Sequence, residues 1–380
     1  YLLILLILSP LLLTGCWDRW EVDERGMVLG VGLDKLPSVQ GESKQLQVTM
    51  QLVEPGSVAG QMKEGGLGGE GEAFWNMTMQ HEGSTEEAIR LAALKMNREP
   101  YFEHLQAVVI GEKLAAEGTM EKYLDSLLRN SEVRKRVKVL VTPATAKEVL
   151  EVKPKQEAVT AVYLVGLQEN NQMMSTFAPP VDLGKLSRYI HEGRDYLIPR
   201  VIPGKDEVTL SGSGVFKGER LVGWLGENES QGACLILGEI KVGAVVARMP
   251  QVERDDLYVF EFMDTRSRIL PQVKGEELSF KIQIRSEGRL VEHQGPANTL
   301  EKDHLRAMEQ ELAREMERQV LAAIKKTQEY KADVFGFARM LEKRHPALWK
   351  ELRGDWDQIY PHLDVEVEIQ AYIRRVGLTK

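Results

Sequence analysis

Four residues near the start of the chain carry the clearest chemistry: Leu13-Thr14-Gly15-Cys16. A thiol in that setting is an acceptor for a diacylglycerol. Tyr1 to Leu12 is almost purely Leu and Ile, broken only by Ser9-Pro10. After Cys16 the chain turns polar at once, with Trp17-Asp18-Arg19-Trp20-Glu21. A short apolar run closing on small residues reads as a secretory signal. The Leu-x-Gly-Cys ending is more specific, because at that pattern bacterial lipoproteins are lipidated and cut, leaving the Cys as first mature residue. Cys16 is therefore the expected lipid attachment site. Acyl burial gains roughly 0.8 kcal/mol per methylene, so one chain binds marginally and two anchor stably. A helix crossing a bilayer needs about 20 apolar residues, more than this run offers. The chain opens on Tyr1 with no basic residue ahead of the apolar run, so further residues are expected to precede it.

Other groups that could do chemistry lack the spacing for it. Cys234 lies in Ala233-Cys234-Leu235-Ile236-Leu237 and reads as a buried small hydrophobe. With Cys16 lipidated, the only other Cys has no intrachain disulfide partner. His81, His104, His191, His293, His304, His345 and His362 show no metal-ligand spacing. His191-Glu192 begins like a zinc-protease motif, but Asp195 stands where the second His is required. Ser213, in Gly212-Ser213-Gly214, lacks the Gly-x-Ser-x-Gly elbow of a hydrolase. Gly30-x-Gly32 lacks the third Gly and the strand-turn-helix setting of a dinucleotide loop. Asp255-Asp256 and Glu276-Glu277 read as solvated turns. No catalytic, cofactor-binding or metal residue is assigned, and the chain is read as non-enzymatic.

The elements that must carry these residues are those of an α+β protein. Its 380 residues suffice for two or three domains, and a hydrophobic content of 43% can fill their cores. A net charge of −8 argues against a nucleic-acid binder, which needs a basic face. Strands are expected at 26–34, at 45–53 with Leu46, Val48, Met50 and Leu52 on one face, at 74–80, 105–110 and 137–141. Met27, Leu29, Val31 and Leu33 are expected together on one face of the first. Residues 55–71 are rich in Gly and read as a surface loop. A capping box, Ser84-x-x-Glu87, opens a helix, and further helices are expected at 112–117, 119–129, 145–150, 158–174 and 181–191. Residues 196–205, with Pro199, Pro203 and Gly204, read as a linker or domain edge.

Further strands are expected over 208–225, with a turn at Lys217-Gly218-Glu219-Arg220, and at 242–248, 257–263 and 278–285. A long helix should run from a box at Asn298-x-x-Glu301 to about Tyr330, with Leu305, Met308, Leu312, Met316, Val320 and Ile324 inward. The closing strand, 363–375, alternates Leu363, Val365, Val367, Ile369, Ala371 and Ile373 with polar residues. The long helix should pack on a sheet holding that strand, with Leu312 and Val367 nearly fully buried. The expected organisation is a signal at 1–15, an N-terminal α+β domain at 16–200 and a C-terminal α+β region at 205–380. Residues 208–290 form either a separate middle domain or a completion of the first. Both regions are expected to hold mixed or antiparallel sheets with packed helices.

Three blocks resemble one family. Cys16-Trp17-Asp18-x-x-Glu21 followed by Gly30-x-Gly32-x-Asp34 resembles the mature start of the Ger(x)C spore germination lipoproteins, the C subunits of nutrient germinant receptors. His104-Leu105-Gln106-Ala107-Val108-Val109-Ile110-Gly111, with Leu127-Leu128-Arg129 and Arg134, is similar to the same family. The most specific block is Gln328-Glu329-Tyr330-Lys331-Ala332-Asp333-Val334-Phe335-Gly336-Phe337, then Pro346, Trp349, Trp356 and Ile373-Arg374-Arg375-Val376-Gly377. Ala338 departs from the pattern, where the family often has Gly. The resemblance implies a non-enzymatic receptor subunit on the outer face of the spore inner membrane. It implies two integral membrane partners, one A-type and one transporter-like B-type, and a multi-domain α+β fold. From the residues alone, an anchored lipoprotein that binds a small solute in a deep interdomain pocket stays open as the alternative. A surface hydrolase would need a convergent acid, base or metal cluster.

Overall fold

The computed structural model describes residues 25–37, 46–53, 74–175, 177–249, 256–275, 277–294 and 301–376. Cys16, the Gly-rich stretch, Asp255, Glu276 and Asn298 lie outside them. The first sheet holds β1 (Arg25–Lys35), β2 (Leu46–Val53), β3 (Phe74–His81), β4 (Glu99–Tyr101), β5 (Ala107–Gly111), β6 (Lys138–Thr142), β7 (Tyr196–Pro203), β8 (Val208–Lys217) and β9 (Arg220–Leu225). Their order is β3-β2-β1-β5-β6-β7-β8-β9, with β4 on the start of β1. The central strands β1, β5, β6 and β7 run parallel, and antiparallel strands flank them on both sides.

A parallel core must be covered on both faces, and β5, a continuous apolar run, is buried at every position. On one face α1 (Thr85–Ala93), the short α2 (Glu112–Ala115), α3 (Met120–Arg129) and α6 (Leu183–His191) pack Ile89, Leu124 and Leu186 against Val31, Leu33 and Val108. On the other, α4 (Ala146–Glu151) and α5 (Thr160–Asn170) pack Leu150 and Leu164 against Val109 and Leu140. This covering explains β2. Gln47, Thr49 and Gln51, spaced as a solvated face, are buried too, and Gln51 donates to the Leu150 carbonyl at 2.8 Å while accepting from Ala161 N at 2.8 Å.

Two expectations are corrected here. β1 does not keep one apolar face, because its register shifts between Val28 and Gly30. Val28, Val31 and Leu33 join one core cluster while Leu29 packs against the other, as a bulge re-aims the chain. The stretch 196–205 is no linker but supplies β7. Its prolines sit where the ladder tolerates a missing N–H: the register shifts between Pro199 and Val201, and Pro203 ends the strand.

After β9, α7 (Glu227–Leu237) leads to a second sheet: β10 (Ala244–Met249), β11 (Asp256–Lys274), β12 (Glu277–His293) and β13 (Asp364–Arg375), in that order. Residues 208–225 thus continue the first sheet, and 244–293 build the second. β11 and β12 run well past the expected strands, and Pro271 is accommodated because β10 pairs β11 only between Asp256 and Glu261. The second sheet lays Tyr258, Phe260, Phe262, Phe280 and Ile282 against α8 (Lys302–Glu329), whose Met308, Leu312, Met316, Val320 and Ile324 are buried. This is the long helix read from the sequence. α9 (Phe337–Arg344), α10 (Pro346–Leu352) and α11 (Trp356–Ile359) follow it. Leu312 is fully buried, but Val367 is only half-buried, since β13 is an edge strand with a neighbour on one side. Leu312→Ala should cost about 2–5 kcal/mol, read as a lower urea midpoint. An unchanged midpoint would remove α8 from the core.

Candidate functional site

Residues of all three sequence blocks come together as structural nodes. In the first, the Asp34 carboxylate at the end of β1 caps α4, accepting from Ala146 N at 2.7 Å and Lys147 N at 2.9 Å. Thr145 and Glu148 complete that helix start with a reciprocal capping box. Gly30 and Gly32 lie within β1, where Ala146, Leu150 and Ala161 press against them. A side chain at Gly111 would collide with the Asp34 carboxylate. Gly30-x-Gly32-x-Asp34 and Gly111 therefore form one packing unit, and the Gly pair is strand, not phosphate loop.

The second node sits after α8. Asp333 accepts from Gly336 N at 2.9 Å, Phe337 N at 2.8 Å, Ala338 N at 2.7 Å and the Trp356 indole N–H at 3.3 Å, which caps α9. Gly336 is left-handed, with φ 76°, a conformation that favours Gly. The departure at Ala338 is accommodated here: its backbone N–H donates to Asp333 and its small side chain packs on the edge of the core. Gln328 donates to the carbonyls of Tyr360 at 3.2 Å and Leu363 at 2.9 Å, tying α8 to the start of β13. Trp349 and Trp356 meet edge to face at 5.4 Å. Pro346 occupies the first turn of α10.

This node reaches the first sheet. Asp195, just before β7, accepts from Gly218 N at 2.8 Å and from Asp333 N at 2.7 Å. Lys217 pairs with Asp357 at 2.8 Å. Tyr330 donates to the Trp224 carbonyl at 3.3 Å and lies on Gly223, where any side chain would overlap its ring. α7 crosses α8 at Gly232, where a Cβ would stand 2.9 Å from Val320 N and closer to the Gln319 carbonyl. Burial holds Asp333 up at about 7, against the lowering by its N–H donors, with the Asp195 charge adding to the rise. Burial raises Asp195 as well, again against two backbone N–H donors.

The remaining sequence candidates are dispersed. Asp195 bonds in this join, and α6 ends at His191, so His191-Glu192 and Asp195 share no helix. Ser213 is buried within β8. Cys234 is fully buried in α7, and burial pushes its thiol up, away from the reactive thiolate. Among the described residues, His293 and His304 meet edge to face at 5.7 Å, and no three His, Cys, Asp or Glu converge to hold a metal. Cys16 lies outside the described residues. The roles of Asp195, Gly223 and Gly232 in this join do not follow from the sequence pattern. A lone Gly inside the apolar run of α7 was the available signal, since such a Gly marks close packing.

Two family models cover the chain in succession. One, described as spore germination protein N-terminal domain, matches residues 18–203. The other, described as spore germination B3/GerAC like, C-terminal, matches residues 211–377. The chain belongs to the Ger(x)C family. Its similarity to individual members runs over nearly full lengths. Spore germination protein YndF of Bacillus subtilis (strain 168) is 28% identical, over 100% of this chain and 97% of the relative. Spore germination protein B3 of the same organism is 26% identical, over 97% of this chain and 95% of the relative. A solved structure titled as the GerBC protein superposes with a TM-score of 0.59 at 22% identity, covering 92% of this chain and 99% of that one, which shows a shared fold. Family membership places the chain in spore germination. The two family models meet between residues 203 and 211, near the join in sequence, and the capping nodes use Gly30, Gly32, Asp34 and Gly111 of the first two blocks and Asp333, Gly336 and Trp356 of the third.

Proposed function

We propose that this Ger(x)C protein is a lipid-anchored, non-enzymatic subunit of a nutrient germinant receptor, held by Cys16 on the outer face of the spore inner membrane. It works there beside A-type and B-type integral membrane subunits. The observation that carries the reading is the match to spore germination families across both halves of the chain. Two further features support it. Leu13-Thr14-Gly15-Cys16 supplies the anchor pattern, and Asp34, Gly111, Asp333 and Gly336 of the family blocks are spent on caps and joins. A scaffold that presents surfaces to partners needs such joins.

The alternative, capture of a small solute between domains, finds less support. A cavity of about 230 Å³ is lined by residues 103–106, 134, 136–138, 165 and 169 of the first sheet's helices and loops. Another, of about 500 Å³, is lined by residues 325, 328, 329, 331, 358, 361 and 362. Each belongs to one half of the chain, and both are rich in charged residues.

Two experiments test the proposal. Cys16→Ala should leave the protein uncleaved or release it from membranes, and a variant that fractionates and matures like wild type removes the anchor. Deleting the protein should abolish germination in response to its own nutrients and leave other germination routes intact. An unaltered nutrient response in every condition would reject the receptor role.

A further inference from the structure

The end of the first sheet at which β1 begins carries surface features that the fold itself does not use. β1, β5 and β6 are parallel, so Arg25, Ala107 and Lys138 all open at this end. The chain leaving α1 arrives there too, because Met96 presses on Gly26 and Glu99 pairs with Arg25. That chain exposes Leu94 by 82%. From the opposite face of the sheet, α5 runs to the same end: its Val165 and Glu169 share a cavity with Arg134, Arg136 and Lys138. The π turn that follows, Asn171–Ser175, exposes Met173 by 55%. These are the two most exposed large apolar side chains among the described residues. They flank one end of a sheet whose loops also carry Lys95 and Arg98.

Single exposed apolar residues are ordinary. Here two of them share an end with a basic cluster, in a chain whose net charge is −8. The acidic groups nearby are partly committed. Glu103 is held by Arg134 at 3.1 Å, and Glu132 accepts from Phe102 N at 2.9 Å, while Glu99 and Glu169 are exposed. Arg136 has no ion-pair partner among the described residues.

We propose that this end of the sheet rests on the bilayer, with Leu94 and Met173 in the headgroup region and Arg134, Arg136 and Lys138 facing lipid phosphates. The proposal rests on Cys16 being the anchor, because the tether selects lipid over an acidic protein. Arg25 follows Cys16 by nine residues, which reach roughly 30 Å when fully extended. The end where β1 starts is therefore confined near the membrane, and headgroup attraction, which decays within about 10 Å, can act once the chain settles. Basic groups at a surface and apolar groups in the interface add to one another in such contacts.

Labelling at Leu94→Cys tests the orientation, since Cys234 is fully buried and does not compete. Met263→Cys, exposed on the second sheet, is the control. The mature lipidated chain is bound to phosphatidylcholine vesicles containing phosphatidylglycerol. A fluorophore at position 94 should be quenched by brominated lipid, and one at 263 should not. In the mature chain carrying Cys16→Ser, Arg134→Glu with Arg136→Glu should weaken binding to these vesicles by about tenfold or more. Equal quenching at 94 and 263 on vesicle-bound protein would overturn the proposal. So would protection of position 94 that appears only when receptor membrane subunits are present, which would make the surface a protein contact. The mass of the N-terminal peptide reports separately whether Cys16 carries lipid, so loss of the anchor is told apart from a wrong orientation.

Discussion

Replacing Asp333 by Ala should cost about 3–5 kcal/mol, because it leaves several partly buried N–H donors without their acceptor at once. The backbone N–H groups of Gly336, Phe337 and Ala338 at the start of α9 and the Trp356 indole lose their acceptor together. Loss of an ordinary helix cap would cost only about 1 kcal/mol. Asp195 also loses the geometry that places Asp333 N against it. Urea denaturation should show the lower midpoint, and a shift no larger than that of an ordinary cap would mean that water replaces the carboxylate. Asp333→Asn keeps an acceptor and should cost less, which separates the shape of the node from its charge.

The same residue predicts a pH dependence. In the folded state burial raises Asp333 to about 7, from 3.8 in the unfolded chain. Above the folded value both states are ionised, and the cost of burying the charge is present in full. As pH falls below about 7, the folded state takes up a proton that the unfolded state does not yet hold. Stability therefore rises with acidification until the unfolded carboxyl also protonates near 4. Asp195, raised by burial in the same direction, adds to this slope. Melting temperatures between pH 8 and 5 should climb more steeply for wild type than for Asp333→Asn. Parallel curves would mean that Asp333 stays ionised throughout.

How much of this was legible depended on the distance over which each feature acts. The stripe of α8, from Met308 to Ile324, was readable because helical periodicity is local and the whole stripe is buried. The alternation of β13 was readable for the same reason, although half-burial of Val367 was not, since edge position is a property of the sheet. The bulge in β1 defeated a simple alternation of Met27, Leu29, Val31 and Leu33. β7 was hidden by Pro199 and Pro203, which mark breaks in most sequences but here fall where pairing is already interrupted. The family blocks were legible as a pattern, and their meaning was not. Asp34 reaches across 112 residues to Ala146 and Asp195 across 138 to Asp333. No local rule connects such pairs.

Gly232→Val should be among the most damaging single changes in the chain, on the order of 5 kcal/mol. Overpacking usually costs about 1–3 kcal/mol, because side chains rotate away. At Gly232 the obstacle is backbone: the new Cβ would meet the Gln319 carbonyl and stand 2.9 Å from Val320 N. Relief requires α7 and α8 to move apart. α7 leads out of the first sheet and α8 lies on the second, and their buried residues share one cluster with Leu197, Val215 and Leu225 of the first sheet. Separation would therefore open the join as well as the local contact. Gly166→Ala is the control, since nothing lies within 4 Å of its Cβ position in α5, and it should gain about 0.5–1 kcal/mol from helix propensity alone. If Gly232→Val melts like wild type, the close crossing is wrong. If it is destabilised but still membrane-bound, spores carrying it should lose the nutrient response. On the proposed function, the anchor would then be intact while the surfaces offered to the proposed membrane subunits are no longer held in register, and germination would depend on the join between the sheets as well as on tethering.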